Sequence, residues 1–166
     1  VEGQTIAFVW GKLYHRHIFQ SIRCPEGEIY EDMKVIGKII ENSNRIVFTS
    51  YAGYYYVQTP NSITRGDVSP AHMALLKNEW QLLDFINQNY PDISMEAKNH
   101  YFWSCFFVLS KLVLFPEYKR ECQAIRKEIV REWKFLIFGR YTRIMVKTAT
   151  ICLLFGLPCY RFVWGI

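Results

Sequence analysis

Apolar residues recur at intervals of three or four over four long stretches of the chain, a spacing typical of helices. This pattern predicts helices over residues 28–41, 69–89, 94–115 and 117–138. The second helix has the clearest start, because Ser69 is a favourable N-cap and Pro70 suits the first helical position. The third is apolar nearly all round, which indicates a helix that lies in the core or contacts a partner.

Two shorter stretches have the composition of β-strands. Residues 45–51 and 54–58 are rich in β-branched and aromatic residues, and Ala52-Gly53 forms a turn signal between them. They predict a hairpin or two neighbouring strands, whose edges would lack partners within this chain. We therefore expect an α+β fold that is mostly helical, with a small β element followed by about four helices.

The chain has 166 residues, 51% of them hydrophobic, which is enough for a domain with a core and excludes a disordered chain. Charge is unevenly placed. Residues 1–110 hold nine Lys/Arg and eleven Asp/Glu, whereas residues 111–166 hold eleven Lys/Arg and four Asp/Glu. The basic end favours an anionic partner surface. Nucleic acid is not predicted as that partner, because the basic residues alternate with Glu and no recognition motif is present.

The C-terminal end combines basic and apolar residues. Arg140, Arg143 and Lys147 precede an uncharged run over residues 148–160, which is too short for a membrane span of about 20 residues. Basic residues beside a short stretch rich in Phe and Trp suit a helix that lies on a membrane surface. A terminal helix packed on its own domain fits the same pattern, and both interpretations stay open.

Two neighbouring carboxylates stand at the start of the first predicted helix, in the segment PEGEIYEDM of residues 25–33. Helical spacing places Glu31 on the solvent face and turns Asp32 toward the packed face. A helix N-terminus favours a carboxylate, while partial burial raises its pKa, so such a pair can divide into a structural acid and a chemical base. The alternative is that both residues only cap the helix start.

The sequence predicts no metal site. His15 and His17 lack a convergent third ligand, and the five cysteines contain no C-x-x-C pair. Their odd number and irregular spacing suggest reduced thiols in a cytoplasmic protein. No signal peptide is visible. Because the chain begins with Val1 and not Met, we expect it to be cut from a longer protein.

Three segments in this order resemble a known family: WGKLY at residues 10–14 with Phe19 after it, PEGEIYED at 25–32, and YYYVQTPNSI at 54–63. Together they are similar to the C-terminal half of bacterial family 2 glycosyltransferases, which build capsular, exopolysaccharide or cell-wall glycans. The resemblance covers about the first 70 residues, and the basic tail is similar in character only.

This resemblance implies a GT-A fold, a nucleotide-sugar donor, a glycan or lipid-linked acceptor and inversion at the sugar carbon. Residues 1–68 would be the acceptor-side half of the catalytic domain, and residues 69–166 a basic, helical, membrane-associated region. The expected location is peripheral, at the cytoplasmic face of the cell membrane.

The resemblance also implies roles for individual residues. The Glu-Asp motif of the family supplies the catalytic base, which falls here on Asp32, with Glu31 in support. Substrate contacts would come from residues in all three segments and just beyond the last: Trp10, Lys12, Tyr30, Tyr55, Gln58, Ser62 and Arg65.

The chain departs from the family in two ways. Relatives carry a nucleotide-binding half first, with an Asp-x-Asp that holds Mg or Mn on the diphosphate, and this sequence has no Asp-x-Asp. Relatives also often have arginines where Val57 and Thr59 stand. We therefore expect the chain not to transfer sugar alone. The alternative function is a non-catalytic helical module that binds a membrane or a protein.

Overall fold

The computed structural model describes residues 8–57, 71–140 and 142–164, and within these ranges it contains helices but no strand. The prediction of a mostly helical chain is confirmed. The helices are α1 (Glu31–Glu41), α2 (Ala71–Asn89), α3 (Ser94–Leu112), α4 (Lys119–Arg131), α5 (Trp133–Phe138), α6 (Ile144–Phe155) and α7 (Leu157–Trp164). Short 3₁₀ turns occur at Arg16–Gln20, Pro91–Ile93 and Pro116–Tyr118.

The predicted β element is wrong for the residues that the structure describes. Residues 45–51 and 54–57 form no strand, and their side chains are exposed. A strand needs a neighbour to pair its backbone groups, and no segment of the described chain supplies one. These residues have a high β propensity, but they form no strand. β propensity reflects how well a side chain packs on a sheet surface, and here no sheet is present to pack against.

Helix boundaries follow the predictions closely in three cases. Helix α1 begins three residues later than predicted, because Tyr30 has a left-handed backbone with φ of 60°. Helix α2 ends at Asn89 as predicted, while its predicted start at Ser69 and Pro70 lies outside the described residues. Helix α3 ends at Leu112, three residues before the predicted end.

The predicted helix over residues 117–138 is divided in two by Glu132. Its backbone, with φ of −102° and ψ of 20°, ends α4 and starts α5. The Glu132 carboxylate lies 2.8 Å from the Lys98 ammonium, and Leu136 in α5 is buried. Tertiary contacts thus override a pattern that is locally compatible with one continuous helix.

The chain divides into two compact units, residues 1–82 and residues 83–166. The predicted boundary between residues 68 and 69 lies outside the described residues. In the first unit, a small apolar core is formed by residues of the N-terminal 3₁₀ turn, of the segment just after it and of α1: Ile18, Ile22, Val35 and Ile39. In the second unit, α3 packs on α4, α4 packs on α6, and α6 packs on α5 and α7.

We expect Leu109→Ala to lower the free energy of unfolding by about 2–5 kcal/mol, because Leu109 in α3 is 0% exposed and its loss leaves a cavity. Leu114→Ala is the matched control, since Leu114 is 47% exposed and should change stability by less than about 0.5 kcal/mol. Urea unfolding followed by circular dichroism measures both. Equal effects of the two variants would contradict the assignment of Leu109 to the core.

Candidate functional site

The turn that leads into α1 has an unusual backbone. Gly27 has φ of 73°, and Tyr30 is the one non-glycine among the described residues with a positive φ. A bulky residue rarely adopts this conformation, which persists only where its surroundings hold it. Here the Tyr30 carbonyl accepts hydrogen bonds from Asn78 Nδ2 and from the Met33 backbone N–H, both at 3.2 Å. The strained residue directly precedes the acid pair.

Glu31 and Asp32 occupy the first turn of α1, where the positive end of the helix dipole favours a carboxylate. Asp32 Oδ1 accepts a hydrogen bond of 2.9 Å from the Met33 N–H. Both acids are half-buried, and Val35, Ile36 and Ile39 behind Asp32 are buried. This agrees with the prediction that Asp32 turns toward the packed face, whereas Glu31 is less exposed than predicted.

Burial raises the pKa of Asp32 above the ordinary value of an aspartate, and the neighbouring charge of Glu31 raises it further. The Met33 N–H and the Lys12 ammonium act in the opposite direction, but the net pKa shift is upward. A carboxylate with a raised pKa holds a proton more readily, which is the property of a general base. The surroundings of Asp32 therefore make it a stronger base than an ordinary aspartate.

Lys12 lies within electrostatic range of Asp32. Its ammonium donates hydrogen bonds to the Phe8 carbonyl and, at 3.5 Å, to the Trp10 carbonyl. Burial lowers the pKa of Lys12, while the charge of Asp32 raises it. The two charges therefore act on each other, although 20 positions separate the residues in the sequence.

Tyr30 adds a phenol beside the acid pair. Burial raises its pKa, and so does the charge of Asp32, so the phenol stays protonated at neutral pH. Its ring lies edge-on to His72, with centroids 6.4 Å apart. The buried Tyr30 hydroxyl has no hydrogen-bond partner among the residues that the structure describes.

Aromatic rings stack around Trp10, two positions before Lys12 in the sequence. The Trp10 ring stacks on Phe8 and Tyr56 at 4.8 Å between centroids, and on Tyr54 at 5.3 Å. Tyr55 is 91% exposed and does not join the stack. In an extended chain alternate residues face the same side, so Tyr54 and Tyr56 contact Trp10 while Tyr55 faces away.

The structure thus brings together five of the residues predicted from the sequence: Trp10, Lys12, Tyr30, Glu31 and Asp32. Tyr55 stays apart from them, and Gln58, Ser62 and Arg65 lie outside the described residues. The resemblance also made Tyr54 and Tyr56 candidate sugar-stacking aromatics, and both contact Trp10. Asn78 was missed, because nothing in the sequence marks it as the partner of a strained carbonyl.

The metal implied by the family resemblance has no set of ligands in the described part of the chain. No group of three or more His, Cys, Asp or Glu residues there could hold a metal ion. The rings of His15 and His17 contact each other, with centroids 4.5 Å apart, but no third ligand joins them. The residues present do not fit that ion, and no chemical step below involves it.

Comparison of the chain with protein-family models, curated proteins and solved structures found no match. Among the described helices, none combines the length and apolar character needed to cross a membrane.

We expect two substitutions to move the pKa of Asp32 in opposite directions. Glu31→Gln removes a negative neighbour and should lower it, whereas Lys12→Gln removes a positive neighbour and should raise it. Carboxyl ¹³C chemical shifts followed through a pH titration report both values. Glu117→Gln is the control, because Glu117 is not among the groups that act on Asp32. Shifts of the same sign in both variants would contradict the arrangement described here.

Proposed function

We propose that this chain is the acceptor side of an inverting family 2 glycosyltransferase with a GT-A fold. The enzyme would move a sugar from a nucleotide-sugar donor to a hydroxyl of a glycan or lipid-linked acceptor, in polysaccharide biosynthesis. One observation supports this most directly. The first of the three segments that carry the resemblance contacts the third through the Trp10 and Tyr54 rings, and it lies within electrostatic range of the second through Lys12 and Asp32.

Asp32 is the catalytic base in this proposal. An acceptor hydroxyl attacks the anomeric carbon, its proton passes to the Asp32 carboxylate, and the bond from sugar to nucleoside diphosphate breaks. One displacement inverts the carbon and needs no covalent intermediate, so a single base is enough. Such a base contributes about 10²–10⁴-fold to the rate. The raised pKa of Asp32 suits it to take that proton.

The neighbours of Asp32 have supporting roles. Lys12 stabilises the carboxylate before the proton arrives, and Glu31 opposes it, so the pair sets the basicity of Asp32. The Tyr30 phenol, protonated at neutral pH, remains a candidate acceptor contact from the resemblance. The Trp10 stack offers flat faces on which the C–H side of a sugar can pack. Tyr55, Gln58, Ser62 and Arg65 remain candidate substrate contacts from the resemblance.

In this proposal, the nucleotide-sugar donor binds to a part of the enzyme outside this chain. The sequence lacks the Asp-x-Asp that would hold the diphosphate through Mg or Mn. Sugar transfer therefore needs a nucleotide-binding half in addition to this chain, and the test must use the protein in which both are present.

In that complete protein, we expect Asp32→Asn to lower kcat by about 10²–10⁴-fold with little change in the KM for the donor. The amide keeps the size of the side chain and the oxygen that accepts from Met33, so the fold should persist. Incorporation of label from radioactive UDP-, GDP- and dTDP-sugars into membranes of the source cells measures transfer.

Asp92→Asn is the matched control, because Asp92 is exposed and lies in the other compact unit. Transfer that survives Asp32→Asn would remove Asp32 as the base. Absence of incorporation by the unaltered protein with all three donor classes would contradict the glycosyltransferase itself.

A non-catalytic module that binds a membrane surface is the second candidate, and a surface feature of the second unit favours it. Phe155 and Phe162, on α6 and α7, are 79% and 88% exposed. Exposed Arg161 directly precedes Phe162 in α7, and exposed Arg143 stands at the opposite end of α6 from Phe155. Exposed rings and cations on the same helices suit the boundary of an anionic bilayer. The same surface would hold the glycosyltransferase at the cytoplasmic face of the cell membrane, so this observation serves both candidates.

We expect the double variant Phe155→Ser/Phe162→Ser to weaken binding to vesicles of mixed phosphatidylcholine and phosphatidylserine by at least about tenfold, because each ring loses its apolar burial in the bilayer. Vesicle co-flotation measures the binding. Phe48→Ser/Tyr51→Ser is the control, since both rings are exposed but lie in the first unit. Equal losses in the two variants would show that the surface of α6 and α7 is not the membrane contact.

A further inference from the structure

A cavity of about 690 Å³ lies in the second unit, next to the start of α4 and the connection between α6 and α7. Three cationic side chains line it: Lys119, Arg126 and Arg161. None of the described residues that line it is acidic. The volume is in the range of small-molecule sites, which is about 300–1,000 Å³. The cavity therefore has the size of a ligand site and a positive lining.

Two helix ends add to this positive character. Lys119 is the first residue of α4 and Leu157 the first residue of α7, and both line the cavity. The N-terminal end of a helix carries a partial positive charge and unpaired N–H groups, which favour anions and phosphate in particular. The Lys119 N–H donates to the Pro116 carbonyl, so α4 contributes through its dipole and the Lys119 charge. The charged side chains and these two helix starts thus act in the same direction.

Two helix ends of opposite sign also lie at the cavity, that of α3, whose C-cap Val113 lines it, and that of α6. Arg126 neutralises the end of α6. Its Nε donates to the Leu153 carbonyl at 2.8 Å and its guanidinium to the Leu154 carbonyl at 3.3 Å, in the last turn of α6. These are carbonyls at the negative end of α6. Because Arg126 is engaged in this structural role, Lys119 and Arg161, both exposed, are the cations offered to a ligand.

The position of Arg161 relative to the cavity wall has independent support. Cys122 lines the cavity and is buried. Burial and the charge of Glu121 raise the pKa of the Cys122 thiol, and the charge of Arg161 lowers it. The Arg161 guanidinium is therefore within electrostatic range of the wall.

The rest of the lining is apolar. Val113, Phe115, Pro116, Leu157 and Pro158 contribute hydrocarbon surface next to the cations. A free inorganic anion would leave this surface without a partner, and a nucleic-acid duplex is too wide to enter. The lining matches a molecule with an anionic head and an apolar chain.

We propose that this cavity binds the phosphate head of a membrane lipid, with the first part of its apolar chain against Val113, Leu157 and Pro158. Phe155 and Phe162 are exposed and lie one residue from the lining residues Gly156 and Arg161. In this proposal these two rings enter the bilayer when the cavity holds the lipid head. This inference goes beyond sugar transfer and does not depend on it, because Asp32 belongs to the other unit.

The test compares vesicles that contain phosphatidic acid with vesicles that contain phosphatidylserine at matched surface charge. We expect the full chain to prefer phosphatidic acid, because its phosphate is a terminal monoester that can enter the cavity. Lys119→Gln/Arg161→Gln should abolish this preference and lower affinity by about fivefold for each cation. Lys127→Gln/Arg131→Gln, with the same loss of charge on α4 outside the lining, should keep the preference.

A second variant places a charge in the cavity without changing its shape. Gln123 lines the cavity and is exposed, so Gln123→Glu should fold normally and repel the phosphate. Gln81→Glu makes the same change at an exposed position away from the lining and should leave the preference intact.

Three results would overturn the proposal. One is equal affinity for the two lipids at matched charge. Another is retention of the preference in both cavity variants, Lys119→Gln/Arg161→Gln and Gln123→Glu. The third is displacement of the chain from vesicles by inorganic phosphate as readily as by a water-soluble short-chain phosphatidic acid, which would show that the cavity takes a free phosphate. Asp32→Asn should leave lipid binding unchanged, so failure here and failure of sugar transfer are distinguishable.

Discussion

The first unit depends on one hydrogen bond between distant parts of the sequence, from the buried Asn78 side chain to the Tyr30 carbonyl. It fixes α2 to the residue before α1 and holds Tyr30 in its left-handed conformation. That conformation determines where α1 begins, and hence places Glu31 and Asp32 in its first turn. The helix start then sets the contacts and charge environment of Asp32. The hydrogen bond from Asn78 to the Tyr30 carbonyl thus influences the geometry of Glu31 and Asp32, the two residues that follow Tyr30.

In the second unit, a side chain of one helix contacts the carbonyl groups at the end of another. The last carbonyls of α6 have no partner within a continuing helix. The Leu153 carbonyl accepts from the Gly156 N–H and from Arg126 of α4, and the Leu154 carbonyl accepts from Arg126. The same contact packs α4 against the end of α6 and forms part of the cavity wall. Interhelical contacts in this unit therefore fix both the positions of the helices and the sign of the electrostatic potential at the cavity.

Sequence periodicity predicted the helices, because apolar spacing directly encodes which face is buried. It placed the ends of α1 and α2 well and turned Asp32 toward the packed face, but it put Glu31 on the solvent face although Glu31 is half-buried. It did not predict the break at Glu132, which depends on a lysine 34 positions away. It also predicted strands over residues 45–57 where none form, because strand propensity gives no information on whether a partner strand is present. The contact between Trp10 and Tyr54 depends on the path that the chain takes after Gly11. The spacing of apolar residues does not predict that path.

The left-handed backbone of Tyr30 affects how this chain can change in evolution. An L-residue in that conformation costs roughly 1–2 kcal/mol, which glycine would not. Selection for thermal stability alone would favour glycine there. A glycine at this position would, however, remove the phenol that packs on His72 and that the charge of Asp32 acts on. Tyr30 is thus a position where stability and site chemistry select for different residues, a trade-off expected at functional positions.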